Sequence, residues 1–476
     1  MQALASADVP LRVLDLTDAL ACQGARLLVG IGADVLRVDP GTDLDAAASV
    51  HWHAGKRWVR VPERAAGEPV LDSLADTADV VLESGPVAAL RGVRADGTSR
   101  WPGTVHVVVT PFGLTGPRRD WLADDLVLAS AGGMTWLGGR ADGPPKPPPR
   151  EQAVQVAGMH AAIAALLGVL ARDRTGHGQL IDVSGQEAAA ATLETGAIAW
   201  IHAGRYPVRN GGVYEHVAHR IFAASDGFVA GGYSGSDRMW TDLLAWMVEE
   251  GEAGDLADER WSDPVVRWRA RPHVDDVVAR FVAKRGAGAL AEEARRRALP
   301  WAEVVPPARL VENPQLRERR FFVTVTGDEL PGGAVEDVGF GWAAPDLPRP
   351  VRLAAIHETP AAGAWTRPAR RGCRPRAGVP AGGGALGGVR VLDLTWVLAG
   401  PYATKLLAEH GADVVKIESR HRQDPTRFAP SMRLRPDAGP DDSGYFLAFN
   451  RGKRSVALNL RNLQGQQLLR DLVPRC

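Results

Sequence analysis

The stretch "LRVLDLTDALACQGARLLVGIGADVLRVD", Leu11 to Asp39, decides the fold class. "VLDLT" is a short run of β-type residues, "CQGARLLVGIG" has apolar side chains at helical spacing, and "ADVLRVD" is β-type again. A strand, a helix and a strand in that order imply a right-handed crossover and a parallel pair. Further strands are expected in "ADVVLES", "TVHVVVTPFG" and "QLIDVSG", with helices in "PVLDSLADT", "DDLVLASAGGM" and the segment Gln152 to Arg172. Together they predict an α/β fold, a doubly wound parallel sheet forming a large domain over residues 1–210.

The texture changes from Gly211, where a β run turns at Asp226-Gly227 and leads into an amphipathic helix. A smaller α+β domain is expected over 211–325, and 326–366 reads as a return of the chain to the large domain.

The opening stretch occurs twice. "VRVLDLTWVLAGPYATKLLAEHGADVVKIE", Val389 to Glu418, repeats "RVLDLT" identically, "GADV" recurs at Gly32 and Gly411, and "GKR" recurs at Gly55 and Gly452. Ordered matches of this kind mark a second α/β unit opening at 389–476, and the glycine-, proline- and arginine-rich residues 367–388 read as the linker before it. The repeat stops where the first unit continues with the strand "DVVLE", which suggests a truncated second unit of a longer tandem chain; the alternative is an accessory module.

Lysine plus arginine and aspartate plus glutamate both number 56 in 476 residues, so no overall charge draws the chain to nucleic acid or to an acidic membrane. Three cysteines without a CxxC pair fit a reducing, cytoplasmic setting. The run Val156 to Ala171 carries a histidine and is shorter than the roughly 20 residues of a membrane span, so it reads as a buried helix. No dinucleotide fingerprint follows the first strand: Gly30 and Gly32 end a helix, where glycine caps, instead of opening one. "HWH" at His51 and "HVAH" at His216 lack a convincing third ligand, so no metal is expected, and no GxSxG nucleophile elbow occurs.

The motifs "RVLDLTWVLAGPYATKLLAEHGADVVKIE", "YFLAFNRGKRSVALNL", "PFGLTGP", "DLVLASAGGM", "LARDRTGHGQLIDVSGQEA" and "ENPQLRERRFF" resemble the family III CoA-transferases, a group that includes formyl-CoA transferase, carnitine CoA-transferase and α-methylacyl-CoA racemase. The resemblance implies transfer of coenzyme A between an acyl-CoA and a carboxylic acid, with no tightly bound cofactor. It implies an interlocked homodimer or, in a tandem chain, pairing of the two units within one polypeptide. It also implies CoA contacts at the turn Val397, Ala399, Gly400 and Pro401, at Asn450, Lys453 and Arg454, and at Arg91. The first unit departs at the turn, reading "ALACQGAR", and at "HWHAGKR".

The family's nucleophile is an aspartate four residues before a triplet such as Gly158-Met159-His160, and here that position is Val154. Valine has no lone pair to attack a thioester. Glu151, one helical turn away, and Asp125 are the remaining candidate carboxylates, although the expected part of Glu151 is helix capping. Racemase chemistry needs a histidine before Asp125, where Asp124 stands, and is disfavoured with Val154 opposite. The readings left are a CoA-transferase with a degenerate first unit, a non-catalytic acyl-CoA-binding half, and a proton-transfer enzyme using Glu151 or Asp125.

Overall fold

The computed structural model describes the chain except residues 1–9, 39–45, 63–66, 213–215, 233–236, 344–349, 351, 360–364, 366–383, 429–436 and 438. Most of the expected linker therefore lies outside the described residues. The chain divides into two compact units, one of residues 1–135, 147–207 and 320–476, the other of 136–146 and 208–319.

The first unit is built on β1 (Arg12–Leu16), β2 (Asp34–Val38), β3 (Arg57–Val59), β4 (Val80–Ser84), β5 (Val105–Thr110) and β6 (Gln179–Ser184). All pair in parallel, in the spatial order β3-β2-β1-β4-β5-β6, and a short strand from the returning chain, His357–Glu358, extends the β3 edge. Every residue of β4 and β5 is buried, as a parallel strand covered on both faces requires. Strand order reverses between β1 and β4, so the loops leaving their carboxyl ends diverge and open a crevice there.

One face of the sheet is covered by the helices Cys22–Gly30 and Gln152–Thr175. The second is long and apolar enough to cross a membrane by composition, and its Ala/Gly stripe (Ala153, Ala157, Gly158, Ala161, Ala165, Gly168) instead packs into the core. The two helices touch backbone to backbone: a Cβ on Gly24 would stand 2.7 Å from the Gly158 carbonyl oxygen, and one on Gly158 would stand 2.9 Å from Gly24 N. Only glycine permits that approach, and it fixes where the amino end of the long helix lies.

The second unit has its own core. Strands Arg220–Ala223, Phe228–Gly231 and Ala302–Glu303 form an antiparallel sheet, the first two joined through the expected turn at Asp226-Gly227. Helices Asp237–Glu249 and Arg271–Ala283 bring Trp240, Trp246, Val278 and Phe281 against Trp301.

Residues from Arg390 rebuild the opening of the first unit. Strands Arg390–Asp393, Asp413–Glu418 and Arg454–Ala457 pair in parallel in the order β1, β2 and β3 take in the first unit. The registers match residue for residue: Asp15 opposes Arg37 as Asp393 opposes Lys416, and Leu36 opposes Arg57 as Val415 opposes Arg454. The repeat packs Leu386, Ala412 and Val414 against Leu167 and Leu170 of the long helix.

Candidate active site

A cavity of about 710 Å³ fills the crevice at the carboxyl ends of β1, β4 and β5. Asp18 and Leu20 line it after β1, Gly85 and Pro86 after β4, and Pro111 after β5. The amino end of the long helix contributes Glu151 and Val154, and the helix Asp125–Ala131 contributes Asp125 and Val127. The structure thus brings together the three residues on which the sequence reading turned, Asp125, Glu151 and Val154.

Their roles differ from expectation. Glu151 was assigned the capping part, yet its side chain makes no cap hydrogen bond; its backbone is left-handed at φ +60°, and the residue is exposed. Asp125 caps instead. Its Oδ1 accepts from Ala153 N at 2.9 Å and Val154 N at 3.1 Å, and its Oδ2 accepts from Glu151 N at 3.1 Å. Both oxygens are held by the first turn of the long helix, where an anion is also favoured by the helix dipole. Asp124 likewise accepts from Val127 N at the start of its own helix. Glu151 is thereby the carboxylate on this wall with no cap hydrogen bond to hold its side chain.

A buried polar cluster that the motif "GKR" signalled without revealing its geometry reaches the cavity wall through Arg37 and His53. Lys56 Nζ donates to Asp15 Oδ2 at 2.7 Å and meets His53 Nδ1 at 3.1 Å, while Arg37 donates to the Thr17 carbonyl at 3.0 Å. Burial alone would raise the Asp15 pKa, but the charges of Lys56 and Arg37 hold it well below the usual carboxylate range. Burial, then the Lys56 and Arg37 charges, lower His53 to about 2, so its imidazole is neutral. Burial pushes the Cys22 thiol up to about 12, which removes it as a thiolate nucleophile.

The residues expected to bind CoA in the repeat do not line this cavity. Lys453 is not a free cation: its side chain is 2% exposed, and its three N–H bonds go to Asp393 Oδ2 (2.9 Å), Pro401 O (3.0 Å) and Asn450 Oδ1 (3.0 Å). These bonds fasten the turn. Arg454 pairs with Asp413, as Arg57 pairs with Asp34 in the first unit. The turn itself is distinctive: Val397 has φ +67°, Ala399 opens a helix, and a Cβ on Gly400 would stand 2.4 Å from Thr395 Cβ. Arg91 is half-buried beyond β4, its main chain anchored where Glu83 accepts from Gly92 N at 3.0 Å and 3.2 Å.

The strand order and the crevice define an α/β protein with a cavity at the switch point of a doubly wound parallel sheet. The family model described as CoA-transferase family III matches residues 10–369 and again 386–476, and the chain belongs to that family. It is 30% identical, over 67% of its length and 84% of the relative's, to a subunit of the succinyl-CoA:(R)-benzylsuccinate CoA-transferase of Thauera aromatica. A probable CoA-transferase of Mycobacterium tuberculosis is 29% identical over 97% of this chain, which spans 59% of that relative's length. Among solved structures, a CaiB/BaiF family protein of Brucella suis superposes with a TM-score of 0.62 at 23% identity, over 75% of this chain and 97% of the other, which shows the shared fold.

Proposed function

We propose that the protein moves coenzyme A from an acyl-CoA to a carboxylic acid, with the acyl group in the cavity between β1 and β4 and Glu151 as the attacking carboxylate. The observation that carries this reading is that Glu151 stands on the cavity wall beside Val154 without a cap bond. A Glu151 oxygen attacks the thioester carbonyl carbon, the C–S bond breaks and CoA thiolate leaves a mixed anhydride. The thiolate then attacks the glutamyl carbonyl, releasing the first acid and leaving a glutamyl-CoA thioester. The acceptor carboxylate and CoA repeat the exchange in reverse order. The two amides held by Asp125 Oδ1 keep the helix end, and so Glu151 and Val154, in place.

We further propose that the repeat pairs with the first unit within one polypeptide, a reading supported by the packing of Leu386 and Val414 on Leu167 and Leu170. A second reading, an acyl-CoA-binding half without chemistry, is favoured by one observation, the hydrocarbon side chain of Val154.

Trapping separates the two readings. The full chain incubated with an acyl-CoA and then hydroxylamine yields a hydroxamate at Glu151, located by peptide mass spectrometry, and Glu151→Gln abolishes it. CoA binding with no trapped carboxylate establishes the second reading instead.

A further inference from the structure

The charges around the cavity are unequal. Asp18, Asp124, Asp125 and Glu151 line it, and among the described residues Arg37 is the one arginine or lysine that does. Arg37 is 5% exposed and already engaged, by the Thr17 carbonyl at 3.0 Å and by Asp15 at 3.6 Å. His53, the histidine on the wall, is neutral because its ring is buried beside Lys56 and Arg37. The amides facing Asp124 and Asp125 stabilise those carboxylates without adding a positive charge. The rest of the wall is apolar: Leu20, Leu122, Val127, Val154 and the indole of Trp52.

We propose that this cavity takes an uncharged, apolar acyl group, aliphatic or aromatic, and excludes acyl groups that carry a second carboxylate. A dicarboxylic acyl chain would bring an anion among four acidic side chains with no spare cation among the described lining residues, and the cost of an unpaired anion in a partly apolar crevice is large. An apolar chain instead leaves water for the hydrocarbon wall and for the indole face. The proposal rests on the CoA-transferase reading, and it deepens that reading by naming the substrate class.

Calorimetric titration of the full chain with isovaleryl-CoA, phenylacetyl-CoA, succinyl-CoA and free CoA tests it. The apolar thioesters are expected to bind about tenfold or more tightly than free CoA. Succinyl-CoA is expected to bind no more tightly than free CoA. Leu122, a cavity-lining residue 74% exposed, tolerates a longer side chain, and Leu122→Lys is expected to raise succinyl-CoA affinity by about tenfold relative to phenylacetyl-CoA through the added charge. Tighter binding of succinyl-CoA than of the apolar thioesters to the unaltered protein overturns the proposal while leaving the CoA-transferase reading intact, as does equal binding of all four compounds. Failure of CoA and every thioester to bind overturns both.

Discussion

Lys56 donates to Asp15 across 2.7 Å with neither side chain exposed to solvent. The repeat makes the same bond from Lys453 to Asp393 across 2.9 Å. In both places the aspartate's other oxygen accepts the backbone N–H and hydroxyl of a threonine two residues on, Thr17 or Thr395. A buried ion pair is costly to break from one side, and without Lys56 the Asp15 charge would keep only the longer contact with Arg37 at 3.6 Å. Lys56→Met is therefore expected to destabilise the fold by about 3–5 kcal/mol, and adding Asp15→Asn to recover part of that loss. Denaturant unfolding of the single and double variants measures it, and equal loss in both would show that the pair is not coupled.

Acid should weaken the protein through His53. The folded ring has its pKa lowered to about 2, while in the unfolded chain it titrates near 6.5, so below that pH the unfolded state binds a proton that the folded state does not. The sign is a loss of stability as pH falls, approaching about 1.4 kcal/mol per pH unit below roughly 6.5. His53→Asn, which copies Asn450 of the repeat, is expected to flatten the stability profile between about pH 6.5 and 4. An unchanged profile in that variant would assign the acid loss elsewhere.

Asp125→Ala removes the acceptor from three main-chain amides at the start of the long helix. The expected cost is about 1–2 kcal/mol in denaturant unfolding, with Asp125→Ser, a shorter capping residue, recovering part of it. A neutral effect of the alanine would place the helix end under the control of the glycine contact with Gly24 instead.

That contact has its own test. Gly158→Ala inserts a methyl 2.8 Å from Gln23 Cβ and 2.9 Å from Gly24 N, both on the facing helix. Overpacking of this kind costs about 1–3 kcal/mol and must displace the helix end that bears Val154 and Glu151. Acyl-CoA transfer is expected to fall further than stability alone explains, measured by assaying well below the variant's melting temperature.

Val154→Asp sets a carboxylate where the family resemblance implies one, on a half-buried wall position. After incubation with acyl-CoA, hydroxylamine is expected to trap that new side chain in competition with Glu151. Trapping at Glu151 alone would show that position 154 is turned away from the thioester.

The parallel sheet was legible because its strands are β-type runs separated by helical spacing, and the duplication was legible from "RVLDLT" and "GKR" alone. What the sequence hid was partnership at a distance. The resemblance implied a CoA contact at Lys453, and nothing in its motif showed that its neighbours in space would be Asp393 and Pro401, 60 and 52 residues away. Asp125 and Glu151 both read as candidate carboxylates, with capping expected of Glu151, and the cap proves to be Asp125 because it comes from another helix, 28 and 29 residues earlier than the amides it holds. The segment 136–146, assigned to the large domain by its position in the chain, belongs with the second unit. The strand His357–Glu358 is too short to carry a periodicity, and its place beside β3 comes from tertiary pairing.

Two stretches with one register also pose a sorting problem for the folding chain. A nascent β2 meets the same main-chain spacing in Arg390–Asp393 as in Arg12–Leu16, and the nearer strand along the chain is favoured because its pairing closes a far shorter loop. Side-chain partners also differ between the stretches: Arg26 reaches Asp337 on the returning chain, whereas its counterpart Thr404 bonds Asp393 within its own stretch. At matching places on the two helices, a guanidinium thus ties one copy to the returning chain and a hydroxyl closes the other on itself.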